Sequence, residues 1–187
     1  KHQNLVIDLT GMGGRKPFSA FVCSLLPDYE VTEKGQCFPL YWYEKFEEDD
    51  KAQPAQSAMF AEPIATPDEH GYIRHDAITD WALGEYRKHY ADAKITKEDI
   101  FYYVYGILHS PEYKQRFASD LKKMLPRIPF ANDFQAFSKA GRELAALRRA
   151  LCKVVQQLHA QVAVGPAPGD GVRHARVAAA QVLRAAG

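Results

Sequence analysis

The chain has 187 residues, 47% of them hydrophobic and 25% charged, with a formal net charge of +1. That length buries one ordinary core with room for a small satellite beside it, and the composition excludes an intrinsically disordered chain. No apolar run approaches the roughly 20 residues that span a bilayer, so no membrane association is expected.

In chain order, Leu5 to Thr10 is a short apolar run that ends in Gly11-Met12-Gly13-Gly14, and it reads as a buried strand leaving through a tight turn. A start at Lys1, so close to that strand and without an initiator methionine or signal peptide, reads as the cut edge of a longer protein. Phe18 to Leu26 fits either a short helix or a second strand. Cys37 to Tyr43 is an aromatic-rich strand, and Pro39 within it argues for a sheet edge. The stretch from about 47 to 70 holds Pro54, Pro63 and Pro67 among small and polar residues and reads as a linker or long surface loop. Asp76 to Tyr90 carries Ile78, Trp81, Ala82 and Tyr86 near helical spacing.

The strongest local signals follow. Thr96-Lys97-Glu98-Asp99 has the form of a capping box, opening a helix whose apolar face is Ile100, Phe101, Val104, Tyr105 and Leu108. Ser110-Pro111 starts another helix, which Tyr113, Phe117, Leu121 and Leu125 continue at helical spacing. After a break bracketed by Pro126 and Pro129, Phe134, Phe137, Leu144 and Leu147 predict a last helix packed on its predecessors. The expected fold is α+β: short N-terminal strands with an aromatic edge strand, then a mainly helical C-terminal half.

Charge is unevenly distributed. Every aromatic residue lies at or before Phe137, and after Leu147 a single acid, Asp170, faces Arg148, Arg149, Lys153, Arg173, Arg176 and Arg184. Residues 1–147 therefore read as one domain and 148–187 as an atypical basic tail rich in Ala and Val. A basic appendage, an altered reading frame and a helical extension all fit that tail; Leu144 to Val164 has helical spacing.

Recognisable catalytic patterns are absent. There is no HExxH, no GxSxG and no GxxxxGK[ST], and Gly11-Met12-Gly13-Gly14 lacks the GxGxxG spacing of a dinucleotide loop, so a tight turn is the simpler reading. Cys23, Cys37 and Cys152 are odd in number without CxxC spacing, as for reduced cytoplasmic thiols serving as small buried hydrophobes. Asp68-Glu69-His70 and His75-Asp76 read as solvated loop charges. No catalytic or metal-binding residue is assigned. Tyr41, Trp42 and Tyr43 fit a core strand better than a base-stacking platform. Arg15, Lys16 and Ser19 in the glycine turn are candidates for phosphate contact. Arg116, Lys122, Lys123 and Arg127 form a second basic group, with Arg116 and Lys123 on one side if the helix continues; a phosphate-contacting ridge and a solvated helix face explain it equally well.

Three segments, TGMGGRKPFSA (Thr10 to Ala20), GQCFPLYWYE (Gly35 to Glu44) and ITKEDIFYYVYGILHSPEYKQRFASDLKKMLPRIPF (Ile95 to Phe130), extended by FSKAGRELAAL (Phe137 to Leu147), resemble the C-terminal specificity domain of type ISP restriction-modification enzymes. These are single-chain bacterial proteins often called predicted helicases. The resemblance spans Leu5 to Leu147 and implies a DNA target-recognition module for a nuclease, an ATP-driven translocase and an adenine-N6 methyltransferase carried elsewhere in a parent chain. S-adenosylmethionine, ATP and magnesium would serve those parts, and this chain would need no cofactor. Double-stranded DNA and the parent's methyltransferase and motor domains are the implied partners. The departure after Leu147 reads as a frameshift or truncation. Two other roles stay open: part of the methyltransferase's catalytic portion, or a docking domain that reads no bases.

Overall fold

Residues 4–24, 27, 32–46 and 66–163 are described by the computed structural model, with 153–163 as helical backbone alone. Strand β1 (Val6–Leu9) lies between β2 (Ala20–Cys23) and β3 (Gln36–Pro39) in an antiparallel sheet. The segment that fitted helix or strand is thus a strand. All of β1 is buried, as its continuous apolar run requires, and this includes the wholly inaccessible Asp8. A buried carboxylate needs partners: Asp8 accepts hydrogen bonds from Thr32 Oγ1 at 2.9 Å and from the Cys37 thiol at 3.7 Å. Loss of solvent around that sulfur, and then the Asp8 charge, push the Cys37 thiol up to about 11, so it stays a donor. The cysteines are free, but Cys37 is exposed and Cys23 and Cys152 are half-buried, which corrects the expectation of three buried hydrophobes.

The aromatic segment expected to form one strand is two strands in different sheets. Strand β3 ends at Pro39, on the sheet edge, and β4 (Tyr41–Lys45) pairs with β5 (Tyr72–Asp76) in a separate two-stranded sheet. Buried Leu40 makes the passage, its N–H donating to the Leu5 carbonyl at 2.7 Å and its carbonyl accepting from Ala77 N at 3.0 Å. The Asn4 amide continues the pairing with a side chain: it accepts from Tyr41 N at 3.1 Å and donates to Tyr41 O at 2.6 Å. The linker expected around 47–70 falls mostly outside the described residues. Its end forms a turn at Asp68–Gly71, where the Asp68 carboxylate accepts from His70 N and Tyr72 N, both at 2.9 Å.

Helix α1 (Asp80–Tyr90) starts after the Thr79 cap and ends at left-handed Ala91. Helix α2 (Lys97–His109) opens with the complete Thr96–Asp99 capping box. Helix α3 (Pro111–Arg116) starts at Ser110, whose side chain accepts from Tyr113 N. Helix α4 (Phe134–Ala163) begins where Asp133 accepts from Ala136 N at 2.9 Å. Strands precede helices throughout the described residues, so the fold is α+β. The chain divides into two compact units, Lys1–Arg149 and Ala150–Gly187. Among the described residues no helix is long and apolar enough to cross a membrane.

Helix α2 has more than the one apolar face its periodicity indicated. Tyr102, Tyr103 and Ile107 are buried alongside Ile100, Phe101, Tyr105 and Leu108, because the helix is covered on several sides. Tyr103 shows how: its ring stacks on Phe134 with centroids 4.9 Å apart. Its hydroxyl donates to Pro129 O and accepts from Ala131 N, each at 2.6 Å. That hydroxyl therefore holds the Pro126–Ala131 connection against α2. Tyr103→Phe keeps the ring but removes both bonds from the half-buried Ala131 N–H and the Pro129 carbonyl, and is expected to destabilise the fold by about 1 kcal/mol, read as a lower urea midpoint at unchanged slope.

The packing of α4 on α2 keeps Phe134 and Phe137 of the expected face, both against the Tyr103 ring, and departs from it at Leu144 and Leu147. Leu144 is 37% and Leu147 65% exposed, whereas Phe134, Ser138 and Ala145 are buried. The helices cross where Gly106 and Gly141 bring backbone against backbone: a Cβ on Gly141 would collide with Tyr102 O, and one on Gly106 with Phe137 O. Small residues, not leucines, make so close an approach possible. Ser138 Oγ donates to Asp99 O at 3.0 Å, and Arg142 pairs with Asp99 at 2.9 Å while lying 4.1 Å above the Tyr102 ring.

Candidate nucleic-acid interface

The β1–β2 connection, Thr10 to Ser19, is fixed at its base by Thr10 N donating to Ser19 O and Ser19 N donating to Thr10 Oγ1, both at 3.0 Å. The two hydroxyls share a further hydrogen bond of 2.9 Å, so Ser19 closes the loop. Gly11 is buried against Lys34, whose backbone leaves no room for a Cβ, and its N–H donates to Glu33 O at 3.0 Å. Gly13 takes φ of 70°, a conformation glycine adopts readily, and its N–H donates to the Lys122 carbonyl at 3.1 Å. A tight turn, not a phosphate loop leading into a helix, is what these glycines form.

Glu33 completes the arrangement. One carboxylate oxygen accepts from Arg15 N at 2.9 Å and the other from Lys16 N at 2.8 Å. Those two N–H donors, first Arg15 and then Lys16, hold the Glu33 carboxyl below its ordinary pKa, so it is ionised through the neutral range. With their backbones engaged, Arg15 and Lys16 keep their side chains exposed. Exposed Met12, at 47%, lies in the same turn.

The second basic group is not a helical ridge. Helix α3 stops at Arg116, and residues 117–124 form turns in which Leu121 N bonds Phe117 O and Lys123 N bonds Asp120 O. Ser119 and Asp120 favour such turns, which bury Leu121 while leaving Leu125 44% exposed. Arg116 and Lys123 therefore share no helix face. Arg116 lies 5.6 Å from the Phe117 ring centroid. Arg127 is exposed, and its carbonyl accepts from Tyr113 OH at 2.9 Å. The Gly13–Lys122 bond instead brings exposed Lys122 and its neighbour Lys123 to the loop that carries Arg15 and Lys16. Among the described residues none of these four side chains pairs with a carboxylate. Arg116 and Arg127 are joined to that group by no hydrogen bond among the described residues. Glu33 and the Gly13–Lys122 link carried no signal in the sequence, since neither belongs to a motif.

The remaining candidate groups have structural partners. His75 stacks on Trp42 with centroids 4.1 Å apart and lies 3.1 Å from Glu44. Asp76 pairs with Lys97 at 2.9 Å, and Tyr41 donates to Glu98 at 2.8 Å beneath Arg74. Half-buried Tyr41 packs against the core, while Trp42 is 47% exposed. An apolar cleft of about 300 Å³ lies between β1, β3 and α2, lined by residues including Leu9, Phe38, Phe101 and Leu125. No acid, base or nucleophile lines it. Among the described residues no cluster of His, Cys, Asp or Glu is arranged to hold a metal ion.

Exposed cations on loops fastened to an α+β core suit contact with an anionic partner. A family model for the Type ISP C-terminal specificity domain matches residues 1–180, and the chain belongs to that family. The match runs beyond Leu147, where the resemblance read from the sequence stops. The fold is similar to a chain of a DrdV–DNA complex solved by cryo-EM, at 36% identity and a TM-score of 0.62 over 79% of this chain and 12% of that one. It is also similar to a nuclease-deletion mutant of the Type ISP restriction-modification enzyme LlaGI in complex with a DNA substrate mimic, at 28% identity and a TM-score of 0.53 over 79% of this chain and 10% of that one. The chain thus spans a small fraction of either relative. No curated protein matches it.

Proposed function

We propose that this domain recognises the DNA target of a type ISP restriction-modification enzyme, with Arg15, Lys16, Lys122 and Lys123 on the phosphates beside the bases that are read. The observation that carries this is the Gly13–Lys122 hydrogen bond, which joins two distant segments that both carry exposed cations. Family membership and the two similar DNA-bound chains support the same reading. Phosphate contacts position a protein on the duplex, and groups reaching base edges supply specificity. Arg116 and Arg127 extend the contact on the flank, and Ser19 acts by closing the loop. Cleavage, translocation and methyl transfer belong to other parts of the parent chain, in the cytoplasm, where they use magnesium, ATP and S-adenosylmethionine.

The test is fluorescence anisotropy of the 187-residue chain with a randomised duplex pool at low and physiological salt, followed by sequencing of the bound fraction. Enrichment of one short motif is the expected result. Salt-sensitive binding without enrichment would leave a nonspecific contact, and no binding by the folded chain would favour a docking domain. Methyl transfer by the chain alone would favour the methyltransferase portion.

A further inference from the structure

The geometry points to Glu33 as a positioning residue for DNA recognition: its carboxylate fixes the loop from which Arg15 and Lys16 reach the phosphates. This rests on the reading of the preceding subsection and deepens it. An acid beside a DNA-binding surface is expected to weaken binding, because its charge repels phosphate. Glu33 nevertheless sits directly behind the two cations and grips both of their backbone N–H groups, at 2.9 and 2.8 Å. The segment that presents it is itself fastened. Thr32 Oγ1 donates to buried Asp8 and to Leu9 O, and Glu33 O receives Gly11 N. Glu33 and Lys34 take successive left-handed conformations, with φ of 62° and 55°, which side-chain-bearing residues rarely adopt without compensating contacts. The carboxylate supplies such contacts. A loop already held in one geometry loses less freedom when it meets DNA than one that must be ordered there.

Two roles for Glu33 predict opposite signs. If it acts only as a nearby negative charge, Glu33→Ala and Glu33→Gln both bind duplex more tightly. If it positions the loop, Glu33→Ala weakens binding, and Glu33→Gln, which keeps one acceptor, weakens it less. The experiment measures anisotropy of the full chain with the same randomised duplex pool, and with the motif it enriches, for wild type, E33A, E33Q, R15A/K16A and R15A/K16A/E33A. Amide NMR follows the Arg15 and Lys16 N–H groups, and thermal melting confirms the fold.

The expected result is a loss of roughly three- to tenfold for E33A on selected duplex, a smaller loss for E33Q, and no further loss when E33A is added to R15A/K16A. The Arg15 and Lys16 amides shift while the melting temperature changes little. Equal or tighter binding by E33A, or an undiminished E33A effect in the R15A/K16A background, overturns the positioning role and leaves the DNA-reading proposal standing. An R15A/K16A variant that binds as wild type does, or a wild type that does not bind, overturns the DNA-contact reading and this inference with it.

Discussion

Replacing Arg15, Lys16, Lys122 and Lys123 together by alanine is expected to remove most of the salt dependence of duplex binding. Each cation seated on a phosphate releases condensed counterions and contributes about 0.9 to the slope of log affinity against log salt. Four such contacts therefore account for a slope change of roughly 3 to 4, or as much as about a thousandfold in affinity near 0.1 M salt. The side chains are exposed, so their loss leaves the core intact, and the Gly13–Lys122 bond uses only backbone atoms. Melting temperature should accordingly move little. A charge-matched control removes four exposed lysines from elsewhere, Lys45 on β4, Lys88 on α1, Lys94 after α1 and Lys139 on α4, and should leave the slope near that of wild type. If both variants lower it alike, binding follows net charge and not this surface.

Alanine in place of Gly141 should be among the most destabilising single changes in the domain, although alanine is the better helix former. The added methyl would collide with the Tyr102 carbonyl, a backbone atom within α2, and no rotamer change relieves that. The helices must separate, which costs about 3 kcal/mol and disturbs the Ser138 and Arg142 contacts to Asp99. Gly106→Ala meets Phe137 O from the other side and should behave in the same way. At Gly84, in α1, an added methyl would meet nothing within 4 Å, so Gly84→Ala should stabilise the protein by about 0.5–1 kcal/mol through helix propensity alone. Urea unfolding of the three variants would show the contrast. Equal effects at Gly84 and Gly141 would mean that the α2–α4 crossing is looser than the structure has it.

Features governed by local chemistry were legible in the sequence. The apolar run at β1, the Thr96–Asp99 capping box and the Ser110-Pro111 start each depend on residues within a few positions of one another. Features set by distant partners were not. Strand β5 exists because β4 pairs with it, and the break at Leu40 reflects a hydrogen bond to Leu5. Spacing extended α3 through Leu125, but Leu121 is buried from a turn instead. In α4 the hydrophobic pattern marked Phe134 and Phe137, which do pack on Tyr103, together with Leu144 and Leu147, which are exposed; it missed Ser138 and Gly141, residues on which hydropathy places little weight. The cations of the interface were visible as charges. Their assembly was not, because Gly13 and Lys122 are separated by most of the domain.

The way that loop is tethered has a consequence for how its exposed surface can change over generations. Gly13 and Lys122 are joined main chain to main chain, and Glu33 holds Arg15 and Lys16 by their amides. The side chains at positions 12, 15, 16, 122 and 123 therefore contribute little to keeping the turn in place. Mutation can exchange them one at a time without dismantling the support, and each exchange alters the charge that the surface presents. In the proposed phosphate-contacting role, such exchanges tune how tightly the domain holds a duplex of any sequence and leave the reading of bases to other groups.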